Sequence, residues 1–376
     1  MTHATVAHVD LADSTKLADR ELEAKLRVTL SELGSVLIGF SGGVDSAYLA
    51  CVAVDTLGAS RVLAVIGRSA SYPREQWERA RAVADQFNLP VLEVSTDEVN
   101  DPRYAANPSD RCFFCKTELW DTLVPIAREH GLAVVLDGTN ADDLGDHRPG
   151  ARAALEHGVQ SPLAELGFTK AAIRRLSRER GIPTWSQPSS PCLSSRIPYG
   201  TTVTIDRLRL VERAERALRE LGVSGDLRVR YHGDLARVEL AAESLDQWLA
   251  PDDGSMIRTA LRQVGFDRVA IDARGFRSGS LNVLGGVVAE PLVRARSASS
   301  SGDAPSLARA LGARGVACRV EARERLAVLQ FDQSNSGSLV DRDARALVVE
   351  VARGHGFTHV ALDLGTAGDD APVHRH

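Results

Sequence analysis

The chain has 376 residues, 44% hydrophobic and 25% charged, with a formal net charge of −5. That length and apolar share can bury a large core and predict two or three domains, while the acidic balance argues against general wrapping of nucleic acid and leaves room only for a local basic patch. Met1–Arg20 has neither an apolar segment nor a basic lead, so no secretory signal is expected, and the longest apolar runs are of strand length, which excludes a spanning helix.

Residues up to about Lys16 read as a loose tail, and Arg20–Leu33 as an amphipathic helix with Leu22, Leu26, Val28 and Leu30, ending near Gly34. Ser35–Phe40 is a short branched apolar run, a buried strand. It turns through Ser41-Gly42-Gly43-Val44-Asp45-Ser46 into a largely buried helix, Asp45–Leu57. Arg61–Ile66 is a second strand, Pro73–Phe87 a charged helix with proline at its start, Val91–Val94 a third strand, Thr117–His130 a helix closed by Gly131, and Ala133–Leu136 a fourth strand. This alternation predicts an α/β fold with a parallel sheet and helices on both faces. Ligands of such sheets sit beyond the carboxyl ends of the strands, where Ser41–Ser46 and Asp137-Gly138-Thr139-Asn140 both fall.

Thr169–Arg180 is a further helix, and the proline-bearing stretch Ser186–Tyr199 a loop. Beyond it the pattern changes to a small α+β module: helix Asp206–Leu221, a β-pair Leu227–Val229 and Ala236–Leu240 around His232-Gly233-Asp234, helix Met256–Val264 and strand Val269–Asp272. Ser297–Pro305 has linker composition. Gly265-Phe266-Asp267-Arg268-Val269-Ala270-Ile271-Asp272 then recurs as Gly356-Phe357-Thr358-His359-Val360-Ala361-Leu362-Asp363, an offset of 356 − 265 = 91. Arg228-Val229 meets Arg319-Val320 and Leu235-Ala236 meets Leu326-Ala327 at the same offset, so the tail reads as a second copy of the module. Arg230 becomes Glu321 in it, and Arg277-Ser278-Gly279-Ser280 has no counterpart, so no active site is expected there.

A strand that turns through two glycines into a helix offers free backbone N–H groups at the positive helix end, which suits a polyphosphate. The glycines permit positive φ and close approach of phosphate oxygens. No Lys-Ser/Thr pair follows, so this is not a Walker-type loop. The five cysteines do not form a disulfide framework; a reducing, cytoplasmic setting is expected, where clustered thiols suggest metal or sulfur chemistry. Cys112-Phe113-Phe114-Cys115, between Arg111 and Lys116, places two thiols within reach of one metal or cluster, and nearby cations and the helix N-terminus are expected to lower their pKa values. From spacing alone, redox activity, metal binding and simple packing all remain open for this pair. Cys192, in the proline-bound loop beside Arg196, reads as reactive; Cys51 and Cys318 read as core residues.

The Ser41–Ser46 turn matches the PP-loop signature SGGxDS of ATP pyrophosphatases. Together with RCFFCK, DGTNADDLGDHRPG (137–150), PCLSSRIPYG (191–200) and RGFRSGSLN (274–282), it makes the chain resemble the LarE family of ATP-dependent sulfur transferases over about Leu33–Asn282. The resemblance implies a PP-loop (adenine nucleotide alpha hydrolase-like) domain at 1–200 and an α+β substrate and oligomerisation domain at 201–294; a linker at 295–305 and a degenerate repeat at 306–376 complete the expected organisation. It implies adenylation by ATP of a carboxylate of pyridinium-3,5-biscarboxylic acid mononucleotide, followed by sulfur insertion towards the nickel-pincer nucleotide of lactate racemase. In single-cysteine members the residue at the position of Cys192 forms a thioester and ends as dehydroalanine; three-cysteine members, which this chain matches better, hold a 4Fe–4S cluster, here on Cys112, Cys115 and Cys192.

The same resemblance implies that Ser41, Gly42, Gly43, Asp45, Ser46, Gly138, Thr139 and Asn140 bind ATP and pyrophosphate. Asp45 would place Mg²⁺, and Asp142, Asp143 and Asp146 are metal or ribose candidates. A substrate with two carboxylates and a phosphate asks for fixed arginines, and Arg228 and Arg230 alternate onto one strand face, with Arg196 and Arg277 as further candidates. The expected partners are a small-molecule nucleotide and further copies of the chain in a homo-oligomer, with no nucleic acid and no membrane. The competing readings are a PP-loop tRNA-thiolating enzyme, set back by the acidic balance, and an ammonia-using PP-loop ligase, which leaves the cysteines without a task.

Overall fold

In a computed structural model, residues 11–145, 149–188, 191–277, 279–284, 302–331 and 341–365 are described. Asp146, Ser278 and the expected linker as far as Ser301 lie outside them. The chain forms two compact units, residues 1–192 and 193–376.

The first unit holds strands β1 (Val36–Gly39), β2 (Val62–Arg68), β3 (Val91–Ser95) and β4 (Val134–Leu136), all parallel in the order β3-β2-β1-β4. Its fold class is the expected one. Val36, Leu37 and Ile38 are fully buried because both faces of the sheet are covered. Val36 and Ile38 point into one apolar cluster with Leu26 and Leu30 of helix α1 (Leu11–Leu33), the buried face of α2 (Val44–Leu57) and Val83 of α3 (Arg74–Gln86). Leu37 points into the other with Trp120 and Leu123 of α4 (Arg111–Glu129) and Ala153 of α5 (Pro149–Glu156). The opposite-face alternation of strand side chains thus divides the core in two.

Helix α1 starts at Leu11, well before the expected Arg20, and takes in residues 11–16, the end of the stretch expected to be a loose tail. The reason is a charge contact that periodicity does not reveal. Asp19 is 5% exposed and is gripped bidentately by Arg175 of α6 (Lys170–Glu179), at 2.7 and 2.9 Å. One turn on, Glu23 accepts hydrogen bonds from Arg180 (2.6 Å) and the Tyr48 hydroxyl (3.0 Å). Helix α4 likewise begins before the expected Thr117, so Cys112 and Cys115 both lie in its first turns.

The second unit is one six-stranded mixed sheet. Its strands β5 (Leu227–His232), β6 (Leu235–Leu240), β7 (Arg268–Asp272), β8 (Arg319–Arg323), β9 (Leu326–Gln330) and β10 (His359–Asp363) lie in the order β5-β6-β7-β10-β9-β8. The apolar face, with Val229, Val238, Val269, Ile271, Leu329, Val360 and Leu362, packs on α7 (Ile205–Glu220), α8 (Pro251–Val264), α9 (Ala304–Gly312) and α10 (Arg342–Gly354). The opposite face is buried too, and sets charged side chains beside a small apolar cluster of Leu235, Ala270, Leu326, Val328 and Ala361. Glu239 receives Arg230 at 2.7 Å and Arg237 at 3.0 Å, and Arg237 reaches Asp272 at 2.9 Å, with Arg237 and Glu239 fully buried. No described helix of either unit is long and apolar enough to cross a membrane.

Burial works to raise the Glu239 pKa, but the Arg230 and Arg237 charges outweigh it and hold the carboxyl down at about 2, against 4.5 ordinarily. A depressed carboxylate stabilises the fold fully above its unfolded pKa, and the contribution disappears as pH falls towards the folded value. The second unit is therefore expected to lose stability between about pH 4.5 and pH 2. Glu239→Gln leaves two buried guanidinium groups short of counter-charge, is expected to cost about 3–5 kcal/mol at neutral pH, and should flatten that acid limb. Denaturant titrations across pH check both, and an acid limb of the same depth in the variant would refute the assignment.

Candidate functional site

In the first unit, β1 runs into the turn at Ser41, and the steric demand there is severe. Gly42 sits at φ +71°, and a Cβ on it would lie 2.6 Å from Ala80 Cβ. Gly43 caps α2 from an extended conformation. A Cβ on Gly138, just beyond β4, would lie 2.8 Å from the Ser46 backbone nitrogen, so the loop after β4 is pressed against the first turn of α2. The turn is braced: Ser46 Oγ donates to Gly43 O (3.1 Å) and accepts from Ser41 N (3.3 Å), while Tyr72 and Gln76 donate to Ser41 O at 2.8 and 3.0 Å. Asp137 accepts from Thr139 N (3.0 Å), Thr139 Oγ1 (2.8 Å) and Ser161 Oγ (2.7 Å). Asn140, buried, accepts from Asp142 N at 3.0 Å and has a buried amide nitrogen without a hydrogen-bond partner.

Asp45 is the charged centre of this site. Lys170 Nζ donates to its Oδ2, while its Oδ1 is buried without a hydrogen-bond partner. Burial pushes the Asp45 carboxyl up, Lys170 opposes this, and the neighbouring Asp143 charge adds to the rise. An orphaned carboxylate oxygen with a second carboxylate in its electrostatic neighbourhood offers the oxygen chemistry that a hard divalent cation such as Mg²⁺ takes. Lys170 did not emerge from the sequence. It stands 125 residues from Asp45, and its only local mark is the Thr169 N-cap, whose side chain accepts from Ala172 N.

The three cysteines of interest also belong to this unit. None of the five cysteines is in a disulfide. Cys112 reaches solvent and Cys115 and Cys192 are half-buried, but dense surroundings desolvate the first two thiols. Burial pushes Cys112 up, and the Cys192 charge adds to this against Arg111 and Lys116. Cys115 is pushed further up by burial, by Glu98 and by both other thiols. This corrects the expectation that cations and the helix end would lower these pKa values: desolvation and like charge win. Glu98, 2% exposed, is held by Ser71 (2.7 Å) and Thr96 (3.1 Å). The three thiols are thus electrostatic neighbours, although among the described residues no three His, Cys, Asp or Glu side chains are arranged to hold a metal ion. Cys51 is a buried core residue pushed up to about 12, and Cys318 packs at the edge of the second unit's core.

The second unit gathers the arginines. Arg228 and Arg230 face the same side of β5 and are 6% and 5% exposed. Arg196, 2% exposed, forms a two-pronged pair with Glu215 at 2.9 and 3.0 Å, and Glu215 also accepts from Val229 N. Arg230 donates to Glu239, to Ser195 O (2.7 Å) and to Ser280 Oγ (3.3 Å). Arg228 lies over the Phe276 ring at 5.1 Å; burial and the Arg196 charge lower its pKa to about 10. Arg277 is 3.9 Å from Asp272, with buried Nε and Nη2 lacking hydrogen-bond partners. Five guanidinium groups (196, 228, 230, 237 and 277) thus face three carboxylates (Glu215, Glu239 and Asp272), and the surplus positive charge suits an anion. Sequence reasoning missed Arg237 and all three acids, because charges in a strand or helix ordinarily signal a solvated face.

Residues 18–107 match the NAD synthase family model. The chain is 45% identical over 265 residues to an uncharacterized protein of Synechocystis sp., covering 69% of this chain and 98% of that one. It is 36% identical over 260 residues to pyridinium-3,5-bisthiocarboxylic acid mononucleotide synthase of Lactiplantibacillus plantarum, covering 69% and 93%. An uncharacterized protein of Methanocaldococcus jannaschii is 28% identical over 243 residues, covering 65% and 91%. With a braced SGGVDS turn on a parallel sheet and near-full coverage of these relatives, the chain belongs to the LarE family of PP-loop enzymes.

Proposed function

We propose that this chain is an ATP-dependent, AMP-forming sulfur transferase acting on pyridinium-3,5-biscarboxylic acid mononucleotide, in the synthesis of the nickel-pincer nucleotide. The observation that carries the reading is that Cys192 is an electrostatic neighbour of both Cys112 and Cys115, in the same compact unit as the braced phosphate-binding turn. A carboxylate resists nucleophiles until it carries a leaving group. Its oxygen attacks the α-phosphorus of ATP, the bond to the bridging oxygen breaks, and pyrophosphate departs into the backbone N–H groups at Gly42–Ser46. Gly138, Thr139 and Asn140 line the adjoining strand end and take the nucleotide. Asp45, with Asp143 in its electrostatic neighbourhood, would hold Mg²⁺, which would supply positive charge against the developing pyrophosphate, and Lys170 exchanges its Asp45 partner for a phosphate oxygen. A sulfur nucleophile then adds to the acyl carbon and AMP leaves with the C–O electron pair.

Burial and neighbouring negative charge raise the Cys112 and Cys115 thiols, and a 4Fe–4S cluster on them would favour the thiolates and through its open iron would supply sulfide. Cys112, Cys115 and Cys192 would hold it, flanked by Arg111 and Lys116. Arg196, Arg228, Arg230 and Arg277 take the substrate's carboxylates and phosphate. The setting is a reducing cytoplasm, where the thiols stay unpaired.

Cys192→Ala is expected to abolish sulfur transfer and leave ATP binding intact; retained transfer would move the chemistry elsewhere. Anaerobic iron and sulfide reconstitution followed by intact mass after one turnover separates two routes. Bound iron with unchanged polypeptide mass marks the cluster, whereas an iron-free protein that loses H₂S at Cys192 marks a sacrificial cysteine. Lys170→Met is expected to lower the rate of pyrophosphate release by roughly 10²–10³-fold, beyond what any loss of stability from the unpaired Asp45 explains, in a variant whose circular dichroism is that of the folded protein. A near-normal rate in that folded variant would exclude Lys170 from the phosphate site.

A further inference from the structure

The 91-residue offset seen in the sequence is also a symmetry of the second unit's sheet. Strands β7 and β10 are antiparallel, with Asp272 opposite Ala361, Ile271 opposite Leu362 and Ala270 opposite Asp363. Ile271 and Leu362 are equivalent positions (362 − 271 = 91), so the pair lies on a two-fold axis, and exchanging the copies turns 272/361 into 363/270. The hydrogen bonds obey the same operation. Leu364 N donates to Val269 O and Ala273 N to Val360 O, both at 2.9 Å, and 364 − 273 equals 360 − 269. Within each copy the pattern repeats: Phe266 N to Leu261 O and Phe357 N to Ala352 O are both 3.1 Å. Even the left-handed turn residue is kept, Gly233 at φ +73° answering Glu324 at φ +53°. For a glutamate that conformation is costly, which argues that the copy's backbone was inherited from a glycine-bearing turn.

We propose that residues 302–365 are a built-in partner subunit, a copy of the preceding module that closes the β7 edge of its own chain and makes the sheet a pseudodimer with one arginine site instead of two. An open central strand pairs readily with another chain, and a two-fold edge-to-edge contact is the natural self-association mode of a module ending in β7. Here that edge is occupied from within. The copy has also exchanged anion-binding side chains for ion pairs with the first module. Glu321 stands where the first module has Arg230, and it receives Arg268 at 2.5 Å, with Asp363 on the same guanidinium at 2.6 Å. Arg323 answers from the copy, reaching Asp234 at 2.7 Å and His232 O at 2.6 Å. Val328 and Gln330 replace Arg237 and Glu239, so the buried network of the first module has no equivalent. At the position of Arg268 the copy has His359, fully buried, where burial and the Arg237 and Arg277 charges depress the imidazole pKa and keep it neutral. A cation there would have added to the surplus of the arginine site.

This inference is independent of what the arginine site binds. The full chain carrying Ala270→Cys and Asp363→Cys places two thiols opposite each other in register. Oxidation followed by non-reducing denaturing electrophoresis and peptide mapping is expected to give a near-complete 270–363 link at the mass of one chain. The symmetry-related pair Asp272→Cys with Ala361→Cys serves if the first variant does not fold. Absence of the link in a folded variant, or a link found at twice the chain mass, would overturn the proposal.

Discussion

Buried charge with an incomplete partner is the constraint on which both sites are built. A carboxylate or guanidinium withdrawn from water must be answered by opposite charge and hydrogen bonds, or the fold bears the desolvation cost. Asp19 with Arg175 and Glu23 with Arg180 are answered, and they fix α1 against α6 and the residue beyond it. Asp45 is answered on one oxygen only, by Lys170, while its other oxygen is buried and open. In the second unit the arginines outnumber the acids around them. The places where compensation stops short are where added opposite charge would lower the desolvation cost most.

The thiols follow the same logic with the opposite sign. Arg111 and Lys116 favour thiolates, but burial, Glu98 and the thiols' mutual repulsion prevail and keep Cys112 and Cys115 protonated. Such thiols are poor nucleophiles by themselves. A cationic group bound against them would oppose that shift and favour the thiolates. Cys51, also pushed up by burial, has no other thiol among the charges that shift it and is simply a core residue.

Much of the first unit was legible in the sequence because its demands are local. The two glycines at 42 and 43 announce a tight turn, closed to any side chain at Gly42, and branched runs such as Val36-Leu37-Ile38 announce buried parallel strands. What escaped notice is long-range pairing of charge. The extra turns of α1 depend on Arg175, and the role of Lys170 depends on a helix start 125 residues earlier. Neither pairing leaves a period or a spacing. Glu215 and Glu239 look like residues of solvated faces until the sheet brings arginines beside them. The repeat, in contrast, was visible, because offset identities survive wherever the hydrophobic face and the turn before the last strand must be kept.

The two copies also show which constraints a duplicated module can shed. Phe266 and Phe357, Val269 and Val360, and Ile271 and Leu362 hold the same apolar core and retain their character. The polar face is free to diverge, because any set of charges that sums to a compensated network folds equally well. Arg230 to Glu321 is the decisive change: the first module's cation becomes an anion, and Arg268 of the neighbouring copy pairs with it. The same charge reversal that sets the copy's polar face apart from the first module's thus creates an ion pair that joins the two copies.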